Sequence, residues 1–473
     1  MVATRVVPTD VVLPLLAVVL DEQAMQRVFE QHLRPRHGTG FEVTACEIER
    51  IKYRPQRNCI IGYKVKLCDR KGRREQRLCA GIYAPDDARA HYVKALLEAN
   101  IATLDIAPVT LIPSLNMVVW AFPNERKLDA LPLLVDATQL RANLLPEVVR
   151  ERWGDGWKIV DLTHDISNYF PEHTCCVSVT LTLSHVESAA RRTWEILGKN
   201  RYDDAGAQTH RDMVALWRNV HSDVSYARPI VYQNEHRLLW QERVPGVTLL
   251  SLLVSGVVDN ALLVRVAWAV AALHATPVTS PRRMMLGDLI DRLIVARKVV
   301  AAAHPGCAVA LGQTFDILVT SAGLLNLDYE GTWHGDLHSN NILVSPTQIY
   351  LVDMDCLSIG PPLADLGSFL AELIYRGCLK DEPLEALQPT LTAVVAAYRQ
   401  RASWPVPEKD IAWFTASALI HERTLRCVTS LKLGRMETLD NLVGAAQRIA
   451  DGGLFVHSAA LVGGAMGQSV RAA

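Results

Sequence analysis

The chain has 473 residues, more than one hydrophobic core usually supports, so we expect two or three domains. Hydrophobic residues make up 49% of the sequence and charged residues 21%, which is typical of a globular protein and excludes a disordered chain. The net charge is -1, so bulk charge favours neither nucleic acid nor an acidic membrane as a partner.

Residues 1–40 are predicted to form an N-terminal helical segment. Its apolar run contains Asp10 and is preceded by a single basic residue, Arg5, and no small-residue cleavage site follows. We therefore expect neither a signal peptide nor a membrane-spanning helix. The ten cysteines include no C-x-x-C pair, which indicates buried, reduced thiols and a cytoplasmic protein.

The next two segments of the chain resemble each other. Three landmarks recur in the same order: Y-x-P-x-x-x-C at 53–59 and 169–175, D-D-A at 86–88 and 203–205, and the tryptophans Trp120 and Trp240. Their offsets are 116, 117 and 120 residues. Chance similarity between two strand-rich segments is the alternative. The shared order favours a repeat, with residues 41–150 as the first copy and residues 151–246 as the second.

Each copy is predicted to contain three strands, a helix and two further strands. A small sheet with one helix, and with a lysine on the strand before that helix, resembles the nucleotide lobe of kinases. Lys199 is that lysine in the second copy, and we align it with Ile82 in the first, which cannot neutralise phosphate. The first copy is therefore predicted to be a degenerate lobe. In the second copy, Asp203 or Asp204 is expected to cap a helix whose apolar face carries Met213, Leu216, Trp217 and Val220.

Residues 247–473 are predicted to be mostly helical and contain the segment "TWHGDLHSNNILV" at 332–344. Two simple interpretations of this segment are a metal cage built from His334, Asp336 and His338, and a polar turn before a buried strand. A third interpretation uses more of the surroundings. Asp336 precedes Asn341 by five residues, and a predicted hairpin brings both close to Asp353. One carboxylate that accepts a proton, together with an amide and a carboxylate that bind magnesium, is the set that phosphoryl transfer requires.

The stretch "HGDLHSNNILV…LVDMDCLSIGPPLADLGSFL" resembles the aminoglycoside phosphotransferase family, a small-molecule branch of the protein-kinase-like fold. The resemblance covers roughly residues 150–450. It implies an α+β, bilobal, protein-kinase-like fold with a small antiparallel-sheet N-lobe and a mostly helical C-lobe. In this chain, an additional N-lobe-like domain precedes that fold.

The resemblance also implies roles for individual residues. Asp336 would be the catalytic base within a motif that includes His334, and Asn341 and Asp353 would bind Mg²⁺. Further implied residues are Lys199 on the ATP phosphates, Glu242 and Val244 in the hinge that receives adenine, and Asp365 as a buried support of the catalytic loop. The chain departs from the family in three places: no glutamate follows Lys199 on the next helix, where Gln208 and Asp212 are the nearest substitutes, residues 171–174 replace the glycine-rich loop, and Asn340 replaces a glycine.

We therefore predict an ATP- and Mg²⁺-dependent kinase that phosphorylates a hydroxyl group of a sugar, an aminoglycoside or an amino alcohol. The alternative is a catalytically silent, kinase-like binding or regulatory module. No nucleic acid or membrane partner is expected, and the sequence does not indicate an oligomeric state. For a polycationic acceptor, Glu372, Asp381, Glu382 and Glu385 are candidates to line an acidic cleft, although Arg376, Lys380, Arg423 and Arg426 lie among them.

Overall fold

This computed structural model describes residues 5–36, 40–70, 72–85, 87–98, 106–219 and 221–452. The predicted apolar N-terminal helix is short, because α1 spans only Leu16–Val19, and α2 spans Glu22–His32. The side chain of Asp21 caps α2 by accepting a hydrogen bond from Ala24 N at 2.9 Å. Asp10, in the middle of the apolar run, is buried and accepts a hydrogen bond from Tyr53 Oη at 2.8 Å.

The chain divides into two compact units, which we describe separately. The first unit comprises residues 1–210, 228–243 and 429–432, and the second comprises 211–227, 244–428 and 433–473. The predicted boundary after residue 246 lies close to the change of unit at residues 243–244.

The first unit begins with an antiparallel sheet in which the strands pair in the order β1-β2-β3-β5-β4. Alternation of apolar and polar residues, as in "IIGYKVKL", turns one side chain in two toward the core. The elements are β1 (Glu42–Arg54), β2 (Asn58–Asp69), β3 (Gly72–Ile82), α3 (Asp87–Glu98), β4 (Val109–Ile112) and β5 (Met117–Ala121). Asp86, which belongs to the first D-D-A landmark, lies outside the described residues.

Three short helices follow: α4 (Leu131–Val135), α5 (Ala137–Gln139) and α6 (Leu145–Trp153), with a π-helical turn at Leu140–Leu144. Their apolar side chains, among them Leu134, Leu144 and Val148, share one hydrophobic core with Val179 and Leu181 of the next sheet. The predicted boundary between residues 150 and 151 therefore does not mark a change of core. Apolar residues between 130 and 150, which were predicted to belong to the first copy, pack with the second sheet.

The second sheet also belongs to the first unit and has the same strand order as the first, β6-β7-β8-β11-β10. In chain order, residues 157–242 contain β6 (Trp157–Phe170), β7 (Thr174–His185), β8 (Arg191–Arg201), α7 (Gly206–Arg218), β9 (Ser225–Tyr226), β10 (Pro229–Gln233) and β11 (Leu238–Glu242). Residues 211–227, which include most of α7 and all of β9, belong to the second unit. On α7, Met213 and Leu216 are buried as predicted, but Trp217 is 41% exposed. Val220, the fourth residue of that predicted face, lies outside the described residues.

Strand register corrects one alignment between the two sheets. Ile82 lies opposite Cys59, whereas the residue opposite the corresponding Cys175 is Asn200. Ile82 and Asn200 are both buried. The position of Lys199 is therefore occupied in the first sheet by Gly81, one residue before the predicted Ile82. A one-residue shift moves a side chain to the other face of a sheet, so this difference matters.

After β11 the chain is mostly helical, with short strands that pair in the orders β12-β14-β15-β9 and β13-β16. The elements are β12 (Val247–Thr248), α8 (Leu249–Ser255), α9 (Asn260–Ala275), α10 (Leu286–Ala303), α11 (Ala308–Ser321), β13 (Gly331–Trp333), β14 (Ile342–Val344), β15 (Ile349–Leu351), β16 (Ser358–Gly360), α12 (Pro362–Cys378), α13 (Leu384–Arg401), α14 (Glu408–Ala418), α15 (Leu425–Ser430) and α16 (Leu439–Ala450). The mixture of antiparallel sheets and helices confirms the α+β class.

One helical stretch in the described part of the chain, Pro305–Leu324, is long and apolar enough by length and composition to cross a membrane. It includes α11, whose residues Leu311, Thr314 and Leu318 are buried within the second unit. The cysteines are less uniformly buried than predicted, because Cys356 is exposed and Cys68 and Cys176 are half-buried.

Candidate active site

The predicted hairpin is present in the second unit. Strands β14 and β15 pair antiparallel, with Ile342 opposite Leu351, and Ser345 closes the turn by accepting a hydrogen bond from Gln348 N at 3.0 Å. The second strand ends at Leu351, before the predicted end at Asp353. The hairpin places Asn341 at its beginning and Asp353 just beyond its end.

Asp365, at the start of α12, holds the beginning of the loop before the hairpin. Its buried carboxylate accepts hydrogen bonds from His334 N at 2.5 Å and from Gly335 N at 3.0 Å. His274 Nε2 lies 3.2 Å from the same carboxylate, and Tyr398 Oη lies 2.7 Å from His274 Nδ1. A buried charge is costly unless hydrogen bonds satisfy it, so this arrangement fixes the loop backbone firmly.

Gly335 permits the loop to turn. Its φ of +80° lies in the left-handed region, and a Cβ atom at this position would lie 2.5 Å from Cys356 O. A side chain here would meet both backbone strain and a clash. The glycine therefore sets the direction in which Asp336 leaves the loop.

The Asp336 side chain is 46% exposed. Burial raises the pKa of this carboxyl, but the hydrogen bond and charge of His338, with the charges of Arg426 and His334, hold the pKa well below its usual range. His338 Nε2 lies 3.6 Å from Asp336 Oδ2. Asp336 is therefore an ionised, accessible carboxylate on a fixed backbone.

His334 is placed differently from the predicted catalytic role. Its side chain is fully buried, Nε2 donates to Val352 O at 3.0 Å, and Nδ1 accepts from Asp336 N at 3.4 Å. Both ring nitrogens are used by the backbone, so His334 links the loop to the end of the hairpin. Because both ring nitrogens of His334 are used in this way, the structure argues against a metal cage built from His334, Asp336 and His338. Within the described ranges, the group of His, Cys, Asp and Glu side chains that lies close enough for a metal is His304, Cys307 and Asp440.

Asn341 and Asp353 offer oxygen atoms. Asn341 is buried, and its Nδ2 donates to Asp336 O at 3.0 Å, which directs the amide oxygen away from the loop backbone. Asp353 is exposed and has a φ of +67°. Hard oxygen donors of this kind suit Mg²⁺, so the residues present fit the predicted ion.

The predicted nucleotide residues lie in both units and are described one at a time. Lys199 is partly buried on β8, opposite Cys176 of β7 and Leu239 of β11. Glu242 ends β11, and its carboxylate accepts a hydrogen bond from Arg152 Nε at 2.6 Å. Val244 is half-buried in the segment that follows. Asp212, a predicted substitute for the missing glutamate, is buried on α7 in the second unit and accepts a hydrogen bond from Ser280 at 3.3 Å.

A buried network that the sequence did not predict supports the other side of the catalytic loop. Ser339 Oγ donates to Glu372 at 2.7 Å, and Ser368 Oγ lies 3.2 Å from Leu337 O. Arg423 contacts Glu372 at 3.1 Å and donates to Ser368 O at 3.0 Å. A π-helical turn, Leu419–Thr424, carries Arg423. Such turns are frequent at functional sites, but their position cannot be derived from hydrophobic periodicity.

This network removes one candidate for an acidic acceptor cleft. Burial raises the pKa of Glu372, but the charges of Arg423 and Arg376 lower it below its ordinary value. The carboxylate is thus ionised, buried and neutralised by two arginines. Glu385, a second candidate, pairs with Arg448 at 2.6 Å.

Comparison with known families agrees with the class of enzyme indicated by the loop. Residues 201–404 match the family model described as "Phosphotransferase enzyme family". The matched stretch, which includes Asp336, Asn341 and Asp353, is similar to that family. The match covers less than half of the chain, and it confirms the predicted family and enzyme class, a kinase with an alcohol acceptor.

Solved structures with similar folds were also found. A thermostable mutant of aminoglycoside phosphotransferase APH(4)-Ia, in ternary complex with AMP-PNP and hygromycin B, is 14% identical with a TM-score of 0.40, covering 66% of this chain and 99% of that chain. Macrolide 2'-phosphotransferase MphH from Brachybacterium faecium is 14% identical with a TM-score of 0.40, covering 64% and 96%. Choline kinase from Cryptosporidium parvum Iowa II is 14% identical with a TM-score of 0.39, covering 64% and 93%. A search of curated proteins found no match.

Proposed function

We propose that this protein transfers the γ-phosphoryl group of ATP, with Mg²⁺, to a hydroxyl group of a small molecule in the cytoplasm. The observation that carries the proposal is the state of Asp336. It is an accessible carboxylate with a lowered pKa, on a loop whose backbone is fixed by buried Asp365. An ionised carboxylate that is accessible and held at a fixed position can orient an acceptor hydroxyl and receive its proton during phosphoryl transfer.

In this proposal, Asp336 orients the acceptor hydroxyl and accepts its proton as the alcohol oxygen forms a bond to the γ-phosphorus. The bond from that phosphorus to the bridging oxygen breaks, and ADP leaves. Asn341 and Asp353 would hold Mg²⁺, which neutralises phosphate charge when it is bound. Lys199 would pair with phosphate oxygens, and the backbone near Glu242 and Val244 would receive adenine, as the family resemblance implies.

The acceptor belongs to the class of sugars, aminoglycosides or amino alcohols. The solved structures with similar folds carry names from this class, including choline kinase and an aminoglycoside phosphotransferase complexed with hygromycin B. Because Glu372 is already neutralised, a strongly cationic acceptor would need carboxylates other than this one.

The test is a panel of hydroxyl compounds incubated with the purified full chain, ATP and Mg²⁺, with ADP formation as the measurement. Acceptor-dependent ADP formation that is lost in Asp336→Asn would support the kinase. The alternative is a silent binding module, which is favoured by the replacement of the glycine-rich loop with residues 171–174. Nucleotide binding without turnover across the whole panel, equal in wild type and Asp336→Asn, would support that alternative.

A further inference from the structure

The turn between β6 and β7, residues 171–173, is held by the first sheet. The Asn168 side chain accepts a hydrogen bond from Arg50 Nη2 at 3.0 Å. The ring of Phe170 lies 6.0 Å from the guanidinium carbon of Arg50 and 5.6 Å from Lys52 Nζ. These contacts join the end of β6 to β1, within the first unit.

Pro171 and the backbone around it are equally constrained. A Cβ atom at Gly62 of β2 would lie 3.5 Å from Pro171 Cγ, so the proline ring lies directly over that glycine. Pro171 has no amide hydrogen, and His173 N already donates to Phe170 O at 3.0 Å. Glu172 N donates to Glu125 at 3.2 Å. The amides of the turn are therefore not available to cradle phosphates as a glycine-rich loop does.

Glu125, which follows β5, anchors this turn. Its half-buried carboxylate accepts hydrogen bonds from Tyr169 Oη at 2.6 Å and from Glu172 N at 3.2 Å. It also accepts from Arg126 N at 2.8 Å and Lys127 N at 3.2 Å. Burial raises the pKa of Glu125, and these donors act against that effect. One carboxylate thus joins two segments that are more than forty residues apart in the sequence.

The Glu172 side chain adds two ion pairs that hold the same turn. It is 6% exposed and forms ion pairs with Arg126 at 3.0 Å and with Lys127 at 3.5 Å. Glu172 has a φ of +57°, a conformation that a residue with a side chain rarely adopts. Partners in the segment that follows β5 hold the strained residue in place.

We propose that Glu125 and Arg126 are positioning residues that fix the β6–β7 turn in one conformation, so that the first sheet sets the nucleotide affinity of the second. This inference rests on the proposed function, in which residues 171–174 take the place of the phosphate-covering loop. Because its amides are not available to phosphates, the β6–β7 turn affects nucleotide binding through its shape. If the turn is already fixed in that shape, less conformational entropy is lost when the nucleotide binds.

Two variants test the proposal. Arg126→Met removes the charge but keeps the stem, and Tyr169→Phe removes only the hydroxyl group. Lys64→Met is the matched control, because Lys64 on β2 pairs with Glu47 and Glu75 of the first sheet. Hydrogen exchange of the amides in residues 168–176 is measured on the nucleotide-free full chain, and the Kd of a non-hydrolysable ATP analogue with Mg²⁺ is measured in parallel.

In both test variants, we expect exchange in the turn to be about tenfold faster, and the Kd to rise by about 3- to 30-fold, with no change in the control. Unchanged exchange would show that Glu125 and Arg126 do not hold the turn. Faster exchange with an unchanged Kd would show that the turn does not set nucleotide affinity. A wild-type chain that binds no nucleotide would overturn the proposed function, and the exchange rates would still show separately whether the first sheet fixes the turn.

Discussion

Asp336 combines two properties, because its side chain is accessible and its carboxylate is also kept ionised. The loop backbone provides the first property, since Asp365 and Gly335 set the direction of the chain. His338 and Arg426 provide the second through their charges. At the scale of single residues, we therefore expect the proposed reaction to depend on the loop geometry as much as on the carboxylate itself.

Asp336→Asn keeps the size of the side chain and removes the proton acceptor. Because a general base acts only as the bond forms, kcat should fall by roughly 10²–10⁴-fold while the Kd of an ATP analogue changes by less than about twofold. Steady-state kinetics and titration calorimetry measure both quantities. The contrasting variant Asp353→Asn should weaken binding of the Mg²⁺-nucleotide as well as turnover. Equal losses of affinity in both variants would assign the base to another residue.

Gly335→Ala should remove both the turn and the activity. The added Cβ meets Cys356 O and a φ of +80°, so we expect the free energy of unfolding to fall by about 2 kcal/mol or more. Gly323→Ala is the matched control, because nothing lies within 4 Å of a Cβ atom there. Urea denaturation and kcat measure the effect. A fully stable and active Gly335→Ala chain would mean that the loop does not require a left-handed residue.

At the scale of elements, the π-helical turn Leu419–Thr424 brings several charged side chains behind the catalytic loop. Glu422 accepts a hydrogen bond from Ser368 at 2.6 Å and pairs with Arg423 at 3.2 Å. Burial raises its pKa, but a hydrogen bond from His421 and the charge of Arg423 lower the pKa to about 2. The ionised form is therefore favoured in the folded chain.

A pH dependence of stability follows from this lowered pKa. The folded value lies below the value of about 4.3 in an unfolded chain, so the stabilisation is present above pH ~4.3 and is lost as the pH falls toward 2. We expect wild type to lose about 1–3 kcal/mol more than Glu422→Gln between pH 7 and pH 3. Urea denaturation at both pH values measures the difference. Identical losses in the two proteins would show that Glu422 is not linked to folding.

The sequence predicts local elements well, because the β14–β15 hairpin follows from two apolar runs and a turn between them. The sequence does not determine, to within one residue, how the strands of the two sheets correspond to each other. The D-D-A landmarks, which are 117 residues apart, match Lys199 with Ile82, but strand pairing places Gly81 there. Recurring residues can still be aligned after a shift of one residue, whereas the same shift changes which residues pair between strands.

Contacts between segments that are far apart in the chain also could not be predicted from the sequence. Glu125 and Tyr169 are joined by a hydrogen bond across the two sheets, and neither residue belongs to a motif that predicts the other. The role of His334 is a similar case. Its motif predicted catalysis, whereas burial and backbone hydrogen bonds show that it supports the loop.

At the scale of the whole molecule, the shared core determines where the chain can be shortened. A chain that begins at residue 156 lacks α4–α6 and should expose Val179 and Leu181 of the second sheet, so we expect it to aggregate. A chain that begins at residue 129 keeps those helices and should remain soluble. Soluble yield and size-exclusion chromatography compare the two truncations. Equal solubility would mean that α4–α6 do not complete this core.

Tyr83 fills the space that a side chain at position 81 of the first sheet would need. Its ring lies over Gly81, with Oη 2.5 Å from where a Cβ would be, and it stacks on His91 with the ring centroids 3.9 Å apart. A lysine that arose at position 81 would have to displace a buried, stacked tyrosine before it could meet a phosphate. A longer side chain at position 81 would therefore require a second change at Tyr83, so these two positions would have to vary together.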